Sequence, residues 1–232
     1  MKAKISVCCL VVLLMLICST TFAEKSEWVD KSYNFSNIKT VLIVDPAIPN
    51  EIKNGITENE IKDIFKEKAV LPKVKVVYLS DLCKILNIRM DANSTISPED
   101  LKFIINNTSQ YADVAITSTV TNYGTGSEYR EGYSYNTTTY KTSYIHSKNG
   151  TTTIETPVTE THNVSGGNIP VAYTTVRWDV YETSAGKPIF SRIESRSRAS
   201  NTLFDNTKPR DLYERITKAF FNDLNHKLKK NK

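Results

Sequence analysis

Apolar and polar positions along the chain form blocks that predict strands and helices in turn. Residues 39–45 (KTVLIVD) are a continuous apolar run, which indicates a strand buried on both faces. Residues 74–78 and 112–123 alternate between apolar and polar side chains, as strands do. Because helical patterns separate these three strands, we expect crossover connections between them. A further edge strand is predicted around residues 32–35.

Helical periodicity marks the segments between these strands. Thr57 begins the first helix, and a glutamate three residues later completes a capping box. A short helix over residues 82–88 follows, capped by Ser80 or Asp81. Ser97 begins a third helix, because a proline and then an aspartate in the first turn come directly after it.

The C-terminal segment, residues 209–228, predicts a long amphipathic helix. Its apolar side chains recur every four residues, and its lysines lie near the end where the helix dipole is negative. The stripe indicates packing against the core, and its members are Leu212, Ile216, Phe220, Leu224 and Leu228.

A second hairpin is predicted from residues 171–183 and 188–200, around the turn that contains Gly186. Cross-strand charge suggests its register, because a shift of two residues would bring Arg177 opposite Arg192. We therefore expect Arg192 on the outer side of the sheet. The outer pairs would be Tyr181–Phe190, Asp179–Arg192 and Arg177–Glu194.

Residues 124–167 differ in composition and predict a long β-hairpin insertion. Thr, Tyr, Ser and Asn dominate, and Asn149–Gly150 is a strong type I′ turn pattern, which would place His162 opposite Thr137. Neither face of the first arm is apolar, so this ribbon cannot bury much of itself. We expect it to contact a partner, and the candidate contact residues are Tyr133, Tyr135, Tyr140 and Tyr144.

The N-terminus has the three parts of a secretory signal peptide. Lys2 and Lys4 form a basic region, residues 7–17 an apolar run, and residues 19–23 a small, polar approach to a cleavage site. We predict a cut between Ala23 and Glu24, which would place the rest of the chain in the periplasm or outside the cell.

Two alternatives for this segment stay open. A retained anchor would need an apolar run of about 20 residues to span a bilayer, and the run here is roughly half as long. Lipidation at Cys18 is the second alternative, although lipoprotein signals place a small residue where this chain has Ile17.

Net charge and cysteine content limit the kinds of partner and the thiol chemistry that we expect. The sequence has a formal net charge of +5, and cleavage would leave a mildly basic chain that needs neither nucleic acid nor acidic lipid as a partner. Cleavage would also remove three of the four cysteines. Cys83 would then remain alone, which excludes an intramolecular disulfide and predicts a buried, unreactive thiol.

The common catalytic motifs are absent from the sequence, including G-x-S-x-G, the P-loop, H-E-x-x-H and C-x-x-C. We therefore predict no catalytic residue, cofactor or metal site. One ligand site stays open, because ligands of open α/β sheets gather beyond the carboxyl ends of parallel strands, where Asp45 and Ser80 lie. Alternatively, Asp45 is a turn residue before a proline and Ser80 is a helix cap.

Two stretches that flank the insertion resemble known bacterial envelope proteins. These stretches are ADVAITSTVTNY and VRWDVYETSAGKPIFSR. The pattern is similar to the penicillin-binding-protein activator lipoproteins, the periplasmic domain of the curli secretion lipoprotein and the N-terminal domain of the Tol-Pal β-propeller protein. The resemblance implies a two- or three-layer α/β domain that binds other envelope components. This chain departs from it in the Tyr/Thr-rich ribbon.

Together these patterns predict an α/β (α+β) fold, with a mixed β-sheet packed by three to four helices and a long Thr/Tyr-rich hairpin, in one domain over residues 24–232. We expect an exported, non-enzymatic accessory or binding protein of the cell envelope. Its partner would be another envelope protein or a cell-wall component, it would have no membrane span after cleavage, and oligomers are left open. The alternatives are an exported enzyme with a dispersed site near Asp45 and a membrane-tethered lipoprotein.

Overall fold

The computed structural model describes residues 21–85, 103–105, 107–147, 150–200 and 208–229. The predicted basic and apolar regions of the signal peptide, Cys18 and the start of the helix at Ser97 lie outside the described residues. No helix in the described ranges is long and apolar enough to cross a bilayer.

Strands and helices follow the predicted order. The strands are β1 (Thr21–Val29), β2 (Thr40–Ile43), β3 (Lys75–Tyr78), β4 (Val114–Arg130), β5 (Tyr133–Ser147), β6 (Gly150–Val164), β7 (Gly167–Glu182) and β8 (Lys187–Ala199). The α-helices are α1 (Gly55–Lys68), α2 (Leu79–Ile85) and α3 (Pro209–Lys227), and residues 103–105 and 107 are also helical.

The strands form two sheets. The larger has six strands in the order β1-β8-β7-β4-β2-β3, and the smaller consists of β5 and β6 alone. Strand β2 pairs in parallel with β3 and β4, whereas β8 is antiparallel to β1 and β7. The chain divides into two compact units, one of residues up to 126 and from 171 onward, the other of residues 127–170. The predicted mixed sheet is confirmed.

Helices cover the large sheet on both faces around β2. Ile43 joins the core under α1 and α3, where Phe65 and Phe220 are buried, whereas Leu42 joins a second core that includes Leu82 of α2. Successive side chains of a strand point to opposite faces, so a strand between two helical layers must be apolar throughout. The predicted two-sided burial of this strand is confirmed.

Several predicted element starts are wrong by a few residues. Helix α1 begins at Gly55, because Asn54 caps it by accepting a 2.9 Å hydrogen bond from the Thr57 backbone N–H. Helix α2 begins at Leu79, so Ser80 lies inside its first turn instead of capping it. Cys83 is buried as predicted, and burial raises the pKa of its thiol.

The first strand lies earlier in the chain than the sequence suggests. Residues 35–37, within and just after the predicted edge strand, form a 3-10 turn, which Asn34 caps by accepting from the Ser36 backbone N–H. The edge strand is β1 instead, and it contains the predicted cleavage site between Ala23 and Glu24. Residues 24–29, which would follow that cut, remain paired with β8 from Ser195 to Phe190.

The predicted register of β7 and β8 is also wrong. Tyr181 pairs with Pro188 and Val180 with Phe190, so Ile189 is an extra residue in β8 that forms a bulge. A one-residue shift turns every later side chain of a strand to the opposite face. Arg192 therefore faces inward with 1% of its surface exposed, and Ile193 faces outward with 43% exposed.

The buried guanidinium of Arg192 connects three elements. It donates hydrogen bonds to Glu27 of β1 (2.6 Å) and to Asp223 of α3 (2.8 Å), and it lies 3.9 Å from the buried carboxylate of Glu194. Burial works against ionisation of Glu27, but hydrogen bonds from Lys227 and Arg192 outweigh it and lower the pKa of Glu27. We call Arg192, Glu27, Asp223 and Glu194 the Arg192 network.

Candidate functional site

The predicted partner-contact ribbon exists as strands β5 and β6. Each strand has 15 residues, and the pairing runs from Tyr133 opposite Val164 to Ser147 opposite Gly150. Gly150 thus belongs to β6, and the register differs by two residues from the predicted one. His162 consequently lies opposite Tyr135 and not opposite Thr137. An even shift leaves each side chain on its predicted face.

One face of the ribbon is a ladder of polar side chains. Ser134 donates a 2.6 Å hydrogen bond to Asn163, and Thr161 donates a 2.8 Å hydrogen bond to Asn136. The hydroxyls of Thr138 and Thr159 share a further hydrogen bond of 3.1 Å. Cross-strand hydrogen bonds of this kind stabilise an antiparallel pair without an apolar core.

The opposite face carries exposed aromatic and aliphatic side chains. Tyr133 is 59% exposed and Tyr135 is 47% exposed, and their ring centroids lie 6.2 Å apart. The imidazole of His162 stacks on Tyr135 with centroids 5.1 Å apart and planes 21° from parallel. Val164 lies exposed beside them, opposite Tyr133. We call Tyr133, Tyr135, His162 and Val164 the tyrosine–histidine face.

A hydrogen bond fixes the histidine within this face. The Thr137 hydroxyl and Nε2 of His162 lie 2.8 Å apart, and the carboxylate of Glu160 lies 3.9 Å from the same nitrogen. Rings held by stacking and hydrogen bonding lose little conformational freedom when a partner covers them. The face therefore presents ordered, exposed aromatic rings with polar groups at its margin.

The structure brings together only part of the predicted tyrosine set. Tyr133 and Tyr135 are neighbours on the tyrosine–histidine face. Tyr140 is exposed on the polar face, opposite Pro157. Tyr144 pairs with Thr153 in the ribbon backbone, and its side chain lies outside the described residues. Sequence reasoning missed His162, because the assumed turn placed it opposite Thr137 and not opposite Tyr135. It also did not select Val164, although the assumed register already placed this residue opposite Tyr135.

Two glycines allow close backbone approach at the base of the ribbon. A Cβ on Gly132 would lie 2.6 Å from the Val164 carbonyl oxygen, and one on Gly166 would lie 2.7 Å from the Gly132 nitrogen. The Arg130 carbonyl oxygen lies 2.9 Å from that same Gly166 position. Side chains at these two glycines would force the strand ends apart.

The second predicted site, at Asp45 and Ser80, lies at the carboxyl ends of β2 and β3. Both residues are exposed. Burial raises the pKa of the nearby Tyr78, and the charges of Asp45 and Asp81 add to this effect. Among the described residues, no cluster of three or more His, Cys, Asp or Glu could hold a metal ion.

A polar cavity of about 440 Å³ lies at the other end of these parallel strands, near the amino ends of β2 and β4. Asp113, one of its lining residues, accepts 2.8 Å hydrogen bonds from the backbone N–H groups of Lys39 and Thr40. This carboxylate holds the start of β2 against the start of β4. These hydrogen bonds give Asp113 a structural role in the fold.

No family model matches the sequence, and no curated protein matches it significantly. Solved structures of similar fold include PelC from Paraburkholderia phytofirmans, a dodecamer, at 9% identity and a TM-score of 0.45, covering 88% of this chain and 98% of that one. Lipoprotein GNA1162 from Neisseria meningitidis matches at 14% identity and a TM-score of 0.37, covering 81% and 99%.

A DUF4136 family protein from Bacteroides thetaiotaomicron matches at 10% identity and a TM-score of 0.38, covering 89% of this chain and 97% of that one. These are bacterial proteins, and one is named a lipoprotein. The likeness is one of fold, at identities and TM-scores too low to indicate a shared family or a shared activity.

Proposed function

We propose that this chain is an exported, non-enzymatic accessory protein of the bacterial cell envelope that captures its partner with the β5–β6 ribbon. The observation that carries the proposal is the tyrosine–histidine face, which exposes aromatic rings in a ribbon that has its own hydrogen-bonded support. The partner is another envelope protein or a cell-wall component.

The composition of the two ribbon faces supports this role. Tyrosine is enriched at protein interfaces, since it buries a large ring and still offers a hydroxyl to a hydrogen-bond partner. Tyr133 and Tyr135 expose such rings side by side. The polar ladder on the opposite face needs no partner, because its hydroxyls and amides already bond across the strands.

Replacing Tyr133 and Tyr135 together with serine should weaken partner capture by roughly tenfold or more, because a few aromatic side chains carry most of the energy of an interface. The measurement is retention by the immobilised protein of solubilised envelope proteins in one arm and of purified cell wall in the other. The arm that retains material identifies the class of partner.

The matched control is Tyr140→Ser, which removes a tyrosine that is at least as exposed from the polar face of the same strand. Its capture should stay within about twofold of the unmodified protein. Equal capture by the double variant and the unmodified protein would remove the tyrosine–histidine face from the proposal.

A further inference from the structure

Strand β1 forms one edge of the six-stranded sheet. It pairs with β8 on one side, and within the part of the chain that the structure describes no strand covers its other side. An edge strand presents unpaired backbone N–H and C=O groups, which can accept a strand from another chain.

The side chains of β1 alternate between two environments. Lys25 lies 2.9 Å from Asp223, and Glu27 accepts from the buried guanidinium of Arg192, so both side chains point toward α3. Glu24, Ser26 and Trp28 are exposed and, by strand alternation, point to the opposite face. Lys25 and Glu27 therefore lie on the same face of β1, the face turned toward α3.

The order of charges along β1 is self-complementary in one antiparallel register. Pleating requires that side chains of the same face meet across two paired strands. A two-fold axis at Lys25 would oppose two lysines, and an axis at Glu27 would oppose two glutamates, which is unfavourable. An axis at Ser26 instead places each Lys25 opposite a Glu27 of the second copy.

We propose that β1 pairs antiparallel with β1 of a second copy of this chain, about a two-fold axis at Ser26, so that the two large sheets become continuous. A lone lysine on an edge strand usually prevents such pairing, because like charges would meet. Here Lys25 lies opposite Glu194, and Glu27 lies opposite Arg192, within one chain. The pairing would extend this alternation of charge across both copies.

The same register covers an exposed aromatic ring. Trp28 is half exposed, and it would lie opposite Glu24 of the second copy. The predicted cleavage would remove Thr21 to Ala23 from β1, but all five residues from 24 to 28, which form these pairs, follow the cut. A two-fold interface of this kind uses the same surface on both copies.

The test is a charge swap at the axis, with the oligomeric state measured by sedimentation equilibrium. Ser26→Lys and Ser26→Glu each bring like charges together at the axis, and each should weaken self-association by about fivefold. Mixing the two variants in equal amounts should restore association, because lysine then meets glutamate. Ser26 is exposed, and matching circular dichroism and thermal melts would show that both variants fold.

Three results would overturn the proposal. The first is a protein that stays monomeric up to roughly 100 μM, a concentration at which even a weak self-association would be measured. The second is self-association that neither substitution changes. The third is a mixture that associates no better than the separate variants. None of these results bears on the ribbon, so the proposed function is tested independently.

Discussion

Replacing Arg192 with methionine should lower the free energy of unfolding by about 3–5 kcal/mol. The guanidinium is almost fully buried, and it holds Glu27 of β1 and Asp223 of α3 against β8. Methionine fills similar space but removes the one buried cation that Glu27 and Asp223 share. Lys227 stays beside Glu27, Lys25 stays beside Asp223, and Arg196 remains paired with the buried carboxylate of Glu194. Urea denaturation of the purified protein measures the change.

Arg177→Met is the matched control for this prediction. Arg177 lies on the neighbouring strand β7, where its exposed guanidinium forms a 2.8 Å ion pair with Asp179. An exposed ion pair contributes only about 0–1 kcal/mol, so this variant should unfold almost as the unmodified protein does. If both arginine variants lost a similar free energy of unfolding, the buried Arg192 network would contribute no more to stability than an exposed ion pair.

Replacing Phe220 with alanine should cost about 3–5 kcal/mol of stability. Its ring stacks on Trp178 with centroids 4.1 Å apart, contacts Phe190 and Phe221 edge-on, and lies 5.5 Å from the Arg192 guanidinium. The substitution opens a cavity where α3 meets the sheet, and surrounding rings can fill it only in part. Thermal and urea unfolding measure the loss.

Phe103→Ala is the comparison, since it makes the same change at an exposed phenylalanine. The expected loss is within about 0.5 kcal/mol. A small loss for Phe220→Ala would contradict the assignment of the aromatic cluster as the centre of the core.

Much of the fold could be predicted, because a strong apolar pattern indicates which faces of a strand or helix are buried. The continuous apolar run of β2 required burial on both faces, and the four-residue stripe of α3 required one apolar contact face. Neither pattern depends on distant parts of the chain. Both elements therefore lie within a few residues of their predicted bounds.

The register of β8 could not be predicted, because a bulge places one extra residue in the strand. Charge pairing suggested that Arg192 faces outward, and a single unpaired residue, Ile189, turns it inward. The inward position of Arg192 is stabilised by hydrogen bonds to two residues that are distant in sequence, Glu27 and Asp223. Charge pairing between β7 and β8 alone therefore predicted the wrong face of the sheet for Arg192.

The candidate site could be predicted only in part, because the sequence shows the composition of the ribbon but not which residues pair across it. Composition and the absence of an apolar face identified the ribbon, and with it Tyr133 and Tyr135. The stacking of His162 on Tyr135 depends on which residues pair across the strands, whereas the place of Tyr140 on the other face follows from strand alternation alone. That pairing is set by the turn. The turn predicted at Asn149–Gly150 would give a register that differs by two residues from the observed one.

Deletion of residues 131–165 removes the ribbon and leaves the six-stranded sheet. The Arg130 carbonyl oxygen lies 2.9 Å from the position of a Cβ on Gly166, so the two ends are close enough to be joined. The shortened protein should keep a single cooperative thermal transition, since the ribbon belongs to a separate compact unit. Its capture of envelope or cell-wall material should fall to background. A shortened protein that loses its cooperative transition, or one that folds and still captures its partner, would contradict the ribbon's assigned role.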